Sequence, residues 1–434
     1  MTIFSSLRVR NYRLFAAGQV VSLTGTWMQR VAQDWLVVQL THGSGSALGY
    51  ATALQFLPTL FLSLYGGVVA DRHSKRRLLI VTQAVMGAFA LALGLLVVTH
   101  SVVLWHVYLL AFLLGLASAI DTPTRQAFVA ELVGPAQVVN AVSLNSATFN
   151  LARIAGPAAA GLLIEAIGTG PVFLFNAVSF LAVIGGLVLM READLYLAPR
   201  QPRAAGQLRA GLAYVRGRPD LLWPIVLVGI VGTFGLNFQM TMALIAKNVF
   251  HRNAGSYGLL STALAFGSLI GALLAARRPR PRQSLLIGSA LAFGILETIS
   301  GLMPSYLTLV LLLIPTGVAA LTLSTAANTT MQLGSSAAMR GRVMALYVLV
   351  FLGGTPIGAP IVGWVAQVAG ARYSLILGGA ISAVAALVVG LVLARSRQLR
   401  VEPHLFRRHP HVHIRLPEEA PMPRPDIDEV ATAS

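Results

Sequence analysis

Long apolar runs, separated by short polar stretches, dominate the chain from residue 15 to residue 394. An apolar helix of about 20 residues is long enough to cross the hydrocarbon core of a bilayer. The runs of this kind are Phe15–Leu40, Ala47–Ala70, Leu78–Thr99, Leu104–Ile120, Val138–Ile167, Pro171–Met190, Leu221–Ala246, Tyr257–Ala276, Leu285–Met303, Tyr306–Thr330, Val343–Val368 and Ser374–Ala394. The pattern predicts an all-α polytopic membrane protein with twelve transmembrane helices.

The composition supports a lipid environment. Hydrophobic residues make up 56% of the 434, and charged residues only 11%, whereas a soluble domain carries about a quarter charged residues. The first apolar run is too long for the core of a secretory signal, so it is interpreted as a span. Cysteine is absent, which excludes disulfides and thiol chemistry but does not identify a compartment.

The net charge of +17 is distributed unevenly between the two sides of the predicted membrane. The segments between successive spans, numbered along the chain, lie on alternating sides of the membrane. Of the 32 Lys and Arg, the odd-numbered segments contain only Lys247, Arg252 and Arg372, and the spans contain only Arg30 and Arg153. The other 27 are in the two tails and the even-numbered segments. This bias obeys the positive-inside rule and predicts that both termini are cytoplasmic, in a multi-pass protein of the inner (plasma) membrane. Because topology explains the cations, nucleic-acid binding is not expected.

The spans divide into two halves. We predict an N-terminal six-helix bundle (1–190), a cytoplasmic linker (191–220), a C-terminal six-helix bundle (221–394) and a disordered cytoplasmic tail (395–434). The linker is basic, and its residues 208–215 could form a short helix at the membrane surface.

Glycines recur between the halves at a constant offset of 202 residues. The pairs are Gly115 with Gly317, Gly156 with Gly358, Gly161 with Gly363, and Gly168 with Gly370. A shared offset favours internal duplication over chance matching of common glycines. Two bundles related along the membrane normal suit alternating access. Small residues let helix backbones approach closely, so helix packing is expected at Gly156, Pro157, Gly161, Gly358 and Gly363.

Two motifs in the first half resemble those of the major facilitator superfamily. The stretch "GGVVADRHSKRR" (66–77) is similar to its loop 2–3 motif, with matches at Gly67, Asp71, Arg72, Lys75 and Arg76 and a serine at position 74 where glycine is common. The stretch "NLARIAGPAAAGLL" (150–163) resembles its span 5 antiporter motif, although the second glycine expected beside Gly161 is missing. "DTPTRQAFVAELV" (121–133) and "RGRVMALY" (340–347) resemble the branch of drug:proton antiporters that includes enterobactin exporters and macrolide efflux pumps.

The resemblance implies a gating role for the charged loop between spans 2 and 3. In this superfamily the loop carboxylate lies against the cytoplasmic start of span 11 when the transporter opens outward. A carboxylate there meets unpaired helix-start amides, with Arg342 as a nearby cation. We expect Asp71 and Arg72 to set the balance between states. The alternative is a solvated charged loop.

Span 1 carries polar residues on a single face. At 100° per residue the face spans an arc of about 140°, and it consists of Gln19, Ser22, Thr26, Gln29, Arg30, Gln33 and Asp34. Such a face lines water or substrate, because intramembrane charges face cavities and partners rather than lipid.

Asp34 is the candidate proton carrier. Burial favours a neutral carboxyl and a nearby guanidinium favours the charged form, so protonation can depend on conformation. Arg30, one helical turn away, and Arg153 on span 5 are the candidate tuning residues. A permanent ion pair that only holds helices together is the alternative. Glu165 and Glu297 are further candidate carboxylates.

The remaining candidate cavity residues are uncharged. They are Asn150, Thr233, Asn237, Phe238, Thr241 and Asn328. Amides and hydroxyls beside phenylalanine suit an amphipathic, mostly apolar ligand, and polar contacts between helices are the alternative.

Several other functions lack sequence support. The chain has no Walker loop and no nucleophile triad or zinc-protease motif, so neither an enzyme nor a cofactor is expected. His409, His411 and His413 alternate in the tail, and we interpret them as incidental composition rather than a metal site. The sequence predicts a monomeric, proton-coupled efflux transporter of a hydrophobic or amphipathic small molecule. Uptake, or a non-transporting receptor or scaffold, are the alternatives.

Overall fold

The computed structural model describes residues 4–196, 207–276, 283–396, 400–404 and 411–415. The helices in these ranges are α1 (Arg10–Leu40), α2 (Gly45–Arg72), α3 (Lys75–Val98), α4 (Leu104–Val133), α5 (Val138–Ile167), α6 (Thr169–Val188), α7 (Gln207–Arg216), α8 (Pro219–Phe234), α9 (Phe238–Leu244), α10 (Ala254–Ala276), α11 (Gln283–Leu302), α12 (Tyr306–Gly334), α13 (Arg340–Val368) and α14 (Ala371–Ser396). Two short strands, β1 (Arg400–His404) and β2 (His411–Arg415), pair antiparallel.

The fold is helical because a backbone in lipid must satisfy its own hydrogen bonds. Several helix ends have recognisable local causes. The Ser44 hydroxyl caps the start of α2, and Ser305 caps the start of α12. Gly168 and Gly370, which correspond at the 202-residue offset, end α5 and α13 with φ of 84° and 105°, a conformation that glycine adopts at little cost.

Among the described residues, ten segments are long and apolar enough to cross a membrane: α3, α4, α5, α6, the α8–α9 segment and α10 to α14. Between 33% and 56% of each apolar window is buried within the protein, so much of the remaining apolar surface is free to face lipid. Helices α1 and α2 have 31 and 28 residues but are not among the ten.

The predicted seventh span is interrupted. The sequence predicts one continuous helix over Leu221–Ala246, whereas α8 ends at Phe234 and α9 begins at Phe238, continuing into a π-helical turn, Ile245–Val249. The break lies at Gly235, where a Cβ would come within 3.0 Å of Phe293, Ser382 and Glu297 side chains. The absence of a side chain at Gly235 thus lets α11 and α14 pack closely against the chain at the break.

The same helix neighbours recur before and after α7. In the first half, α1 contacts α5 and α6, α2 contacts α4, and α3 contacts α4 and α6. In the second half, α8 contacts α13 and α14, α10 contacts α12, and α11 contacts α12 and α14. The two halves meet mainly through α2 with α13 and α5 with α10.

The contacts between the halves concentrate at one end of the molecule. Gln367 accepts a hydrogen bond from the Gly45 N–H (2.9 Å), Asn248 donates to the Gly43 carbonyl (2.8 Å), and Asn253 donates to Glu165 (2.5 Å). These residues lie near the turns that follow α1, α5, α9 and α13. We call them the closed end.

The segment after α6 is described in part. The predicted short linker helix is present as α7, and its Gly211 packs against Arg342 at the start of α13. The rest of the linker (197–206), the basic loop 277–282 and most of the tail, including His409, lie outside the described residues. The predicted disorder of the tail stays a prediction.

Candidate functional site

A mostly apolar cavity of about 410 Å³ lies between the two halves. Helices α1, α5, α9, α10, α12 and α13 all contribute to it. Its lining includes Trp27, Phe149, Arg153, Phe238, Gln239, Met242, Ser268, Ser324, Phe351 and Thr355. The size and the few polar groups are typical of a site for a drug-sized ligand. We call this space the apolar cavity.

Two arginines flank the Trp27 ring at the edge of this cavity. The Arg30 guanidinium lies 4.7 Å from the ring centroid and that of Arg153 lies 6.0 Å from it. Arg30 also lies 5.8 Å from the Phe56 ring. Cations over aromatic faces are partly stabilised by the ring quadrupole. Arg153 is thus the cation of the apolar cavity, and it contacts Trp27 rather than Asp34.

Asp34 lies in a smaller adjoining cavity of about 90 Å³, the Asp34 pocket, which also has Arg30, Gln55 and Asn237 in its lining. The Asp34 side chain is buried, and its Oδ2 accepts a 2.8 Å hydrogen bond from the Tyr257 hydroxyl. Tyr257 belongs to α10 and its ring stacks on Trp35. The carboxylate of the first half is therefore bonded to the second half.

This arrangement differs from the alternative considered above, a permanent Arg30–Asp34 ion pair. Among the ion pairs of the described residues, which join atoms within 4.0 Å, Arg30 and Asp34 do not appear together. The Arg30 Nε is buried and has no hydrogen-bond partner in the described structure. A one-turn spacing brings two side chains to the same face, but it does not decide which partner each prefers.

The polar face of α1 lines a third cavity, also of about 90 Å³, inside the first half. Gln19, Ser22, Thr26, Gln29, Arg30 and Gln33 all contribute to it. Hydrogen bonds join Gln33 to Gln55 (3.1 Å) and Gln29 to Asn176 (2.5 Å). We call this space the polar chamber. The predicted polar face thus faces the protein interior, but it lies apart from the apolar cavity.

Sequence reasoning overlooked a second charged pair in the polar chamber. The Asp121 carboxylate accepts hydrogen bonds from Thr82 (2.9 Å) and Gln83 (2.8 Å), and its Oδ2 lies 3.6 Å from the Arg125 Nε. Arg125 also donates to Gln19 (3.1 Å). The four-residue spacing of Asp121 and Arg125 places both side chains on one helix face and could have indicated the pair. It was overlooked because both residues lie beyond the predicted end of span 4 at Ile120, whereas α4 continues to Val133.

The uncharged candidates of the second half separate into two groups. Asn237 lines the Asp34 pocket and Phe238 lines the apolar cavity. Thr233 and Thr241 instead donate to carbonyls of their own segment. Asn150 likewise donates to Ser146, and Asn328 accepts from Gln332. These last four residues do not line the three cavities.

The other candidate carboxylates lie away from the Asp34 pocket. Glu165 accepts the Asn253 hydrogen bond at the closed end. Glu297 is 1% exposed and packs beside Gly235 and Gly378, and its Oε2 has no hydrogen-bond partner among the described residues.

The charged loop after α2 is anchored to its own half. Lys75 pairs with Glu131 (2.5 Å), and Arg76 donates to the Leu187 and Val188 carbonyls at the end of α6. A cation at a helix C-terminus satisfies its unpaired carbonyls. Arg72 is exposed. The Asp71 side chain lies outside the described part of the structure, so the gating prediction for Gly67 and Asp71 stays a prediction.

The repeated glycines occupy equivalent contacts in the two halves. Gly156 packs against Trp27 of α1, and its counterpart Gly358 packs against the Thr233 carbonyl of α8. Each of these contacts lies within one half. Gly161 packs against Gly255 of α10, and its counterpart Gly363 packs against Gly45 of α2. These second contacts join the halves.

Comparison with known proteins gives the family. The family model described as transmembrane secretion effector matches residues 1–420. The staphyloferrin A transporter of Staphylococcus aureus is 26% identical over 270 residues, which are 60% of this chain and 66% of that protein. The enterobactin exporter EntS of Citrobacter koseri is 25% identical over 419 residues, which are 95% of this chain and 96% of that protein. The multidrug efflux pump Tap of Mycolicibacterium fortuitum is 26% identical over 397 residues, which are 89% of this chain and 96% of that protein.

Solved structures support the same fold. A bacterial homologue of the human lysosomal transporter Spinster, in an inward-facing and unoccupied conformation, superposes with a TM-score of 0.69 at 17% identity, covering 88% of this chain and 96% of that chain. At this identity the likeness concerns the fold. With the family match over nearly the whole chain, it follows that the chain belongs to the transmembrane secretion effectors of the major facilitator superfamily and is a multi-pass membrane transporter, not an enzyme.

Proposed function

We propose that this transporter exports an apolar or amphipathic small molecule in exchange for protons. The observation that carries the proposal is the hydrogen bond from Tyr257 to the buried Asp34, which joins the two halves. This bond lies in the Asp34 pocket, which adjoins the apolar cavity. A titratable group that bonds both halves can link protonation to their relative movement. The names of the relatives given above, an enterobactin exporter and a multidrug efflux pump, agree with export.

The topology completes the proposal. Counting α1 and α2 as spans with the ten apolar segments gives twelve transmembrane helices in two six-helix bundles, α1–α6 and α8–α14. The positive-inside bias then places both termini in the cytoplasm and the closed end outside. In this orientation the structure corresponds to a state whose cavity is closed to the exterior.

The Asp34–Tyr257 bond acts as a lock in this scheme. A hydroxyl bond to a carboxylate is charge-assisted and strong, and protonation of the carboxyl weakens it. The deprotonated empty transporter therefore stays closed to the exterior and does not leak protons. Substrate binding in the apolar cavity supplies the free energy that breaks the lock, and Asp34 takes up a proton from outside before the transporter returns to the closed state.

The lining of the apolar cavity defines the substrate class. Aromatic and aliphatic side chains dominate it, and Arg153 is the one charged residue among the described residues that line it. A largely apolar molecule with one acidic or hydrogen-bond-accepting group fits this surface. Macrolides and catecholate siderophores are the chemical classes to test.

The loop after α2 supplies the opposite gate in this proposal. Asp71 and Arg72 contact the start of α13, near Arg342, when the cavity faces outward. The anchoring of Lys75 and Arg76 to α4 and α6 would keep that loop with the first bundle during the movement.

Reconstitution in proteoliposomes with an imposed pH gradient tests the function. The panel consists of ethidium, erythromycin and a catecholate siderophore, with liposomes lacking the protein as the control. Export coupled to proton movement in the opposite direction is the expected result. Symport of a panel compound with protons would instead indicate uptake, and the absence of any protein-dependent flux would favour a receptor or scaffold.

A further inference from the structure

The three cavities form a series in which substrate space and polar space are separated. The apolar cavity shares Leu236, Gln239 and Thr355 with the Asp34 pocket. The Asp34 pocket in turn shares Arg30 and Gln55 with the polar chamber. Among the described residues, none lines both the apolar cavity and the polar chamber. Asp34 therefore lies between two different spaces.

The polar chamber and the Asp34 pocket have the chemistry of hydrated spaces. Three buried polar atoms along them, the Gln83 Oε1, the Arg30 Nε and the Asn237 Oδ1, lack hydrogen-bond partners among the described residues. Buried polar atoms in native proteins are bonded to protein or to ordered water. Each cavity of about 90 Å³ has room for more than one water. Water is thus the partner that these three atoms require.

The polar chamber reaches the surface beside the Asp121–Arg125 pair. Thr122, which also lines the chamber, is exposed, and the Arg125 side chain is 20% exposed. Asp121 itself is buried, with Thr82 and Gln83 of α3 as its other partners. These residues precede the α4–α5 turn, which the charge bias assigns to the cytoplasmic side.

We propose that the polar chamber is the proton exit of the transporter, with Asp121 and Arg125 at its cytoplasmic mouth. This inference rests on the proposed function. In the closed-to-exterior state the Asp34 carboxyl gives its proton to a neighbouring water, and the proton passes along hydrogen-bonded waters by Gln55 and Arg30 to the mouth. The carboxylate left behind gains the Tyr257 hydrogen bond, so that no other reactant is needed.

The charged groups along the route are few. Arg30 of α1 and Tyr257 of α10 face Asp34, while the described residues that α2, the α8–α9 break, α9 and α13 contribute to its pocket are uncharged. Asp121 faces Arg125 on its own helix and uncharged partners on α3. The charges of Asp121 and Arg125 offset each other at the mouth, so in this proposal the proton passes through water molecules there rather than binding to a free carboxylate.

A separate proton exit lets substrate entry and proton release occur on the same, cytoplasmic side of the membrane. In the proposed cycle, substrate enters the apolar cavity from the cytoplasm while the proton leaves to the cytoplasm. If both used the apolar cavity, a bound apolar molecule would displace the water that the proton needs. The polar chamber lets the proton leave behind the bound substrate.

Filling the polar chamber tests this assignment. Ser118 lines the chamber, where its hydroxyl contacts the Met86 sulfur at 3.6 Å, and Ser324 lines the apolar cavity. We expect Ser118→Leu to leave equilibrium erythromycin binding unchanged but to slow coupled proton flux about tenfold or more, the effect of adding about 1.4 kcal/mol to the barrier. Ser324→Leu, the matched control, should weaken erythromycin binding, and Ser118→Ala should behave as the wild type.

The outcomes separate this inference from the proposed function. If the wild type couples erythromycin to protons and Ser118→Leu retains wild-type proton flux, the exit assignment is wrong while the proposed function stands. If the wild type moves no protons with any compound of the panel, the proposed function itself fails and the exit assignment fails with it.

Thiol labelling provides an independent test that does not require transport. The natural chain has no cysteine, so single-cysteine variants have no background. We expect the thiol of Ser118→Cys to react with the aqueous reagent 2-aminoethyl methanethiosulfonate in folded protein, at a rate well above that of a cysteine in the dry core at Ala386 (Ala386→Cys). A thiol at position 118 as unreactive as that at position 386 would overturn the proposal, even if Ser118→Leu failed to fold.

Discussion

The Tyr257 hydroxyl is the polar contact through which the second half reaches Asp34. An unpaired charge in the hydrocarbon region is costly, by roughly 2.5–3.5 kcal/mol on insertion scales. The hydrogen bond and the polar lining of the Asp34 pocket reduce that cost. The inward orientation of Asp34 was predictable, because the polar residues of α1 share one face. Its partner was not, because Asp34 and Tyr257 are separated by 223 positions and meet only through packing of the two halves.

Removal of this hydroxyl should shift the conformational equilibrium. Tyr257→Phe keeps the ring that stacks on Trp35 but loses a hydrogen bond to a charged group, which contributes about 1.5–3 kcal/mol. We expect the population open to the exterior to rise about tenfold or more. Ser101, in the turn between α3 and α4, and Tyr373, in the first turn of α14, are exposed and lie beside the closed end. Spin labels on Ser101→Cys and Tyr373→Cys would report the change as a longer distance by pulsed electron resonance.

Tyr347→Phe is the matched control, because that hydroxyl donates to the Ser324 carbonyl within the second half. Its distance distribution should equal that of the wild type. An unchanged distribution in Tyr257→Phe as well would mean that the bond does not hold the closed end.

At the scale of helices, close backbone contacts at glycines determine how the halves meet. The 202-residue repeat predicted helix packing at these glycines but not their partners. In the structure each glycine of α5 has a counterpart in α13 that packs against the equivalent helix. The break between α8 and α9 could not be predicted in this way. Gly235 lies at the break beside Phe293 and Ser382 of two distant helices, and the apolar sequence around it is compatible with a continuous helix.

Enlarging a glycine at the contact between halves should be costly. Gly363 packs against the Gly45 carbonyl and the Gly49 Cα, so Gly363→Val forces α2 and α13 apart. Overpacking of this kind costs about 1–3 kcal/mol, and we expect a lower thermal midpoint in detergent together with loss of transport. Gly288→Val is the control, because a Cβ at Gly288 meets no atom within 4 Å. Equal thermal midpoints for the two variants would contradict this account of the contact.

At the scale of the molecule, uncharged side chains hold much of the closed end. The hydrogen bonds from Asn248 to Gly43 and from Gly45 to Gln367 use amide side chains and backbone atoms. Neutral hydrogen bonds contribute only about 0.5–1.5 kcal/mol each, which suits a gate that opens in every cycle. The sequence predicted the helices and their sidedness but not this gate, because amides near helix ends are common and carry no pattern.

Weakening the gate should favour the outward state without affecting protonation. We expect the double variant Asn248→Ala, Gln367→Ala to show a longer spin-label distance at the closed end than the wild type, while Asp34-dependent proton coupling persists. Asn150→Ala is the control, because among the described residues that side chain bonds to its own helix, at the Ser146 carbonyl. A double variant that remained as closed as the control would show that helix packing alone holds this end.

The most direct measurement of proton coupling compares two transport modes of Asp34→Asn in the same proteoliposomes. With erythromycin, or whichever panel compound the wild type exports, one mode is exchange of labelled for unlabelled compound without a pH gradient. The other mode is net transport driven by the gradient. If Asp34 carries the proton, the variant keeps exchange but loses gradient-driven accumulation. Accumulation equal to that of the wild type would contradict the account, because protons would then be coupled elsewhere or not at all.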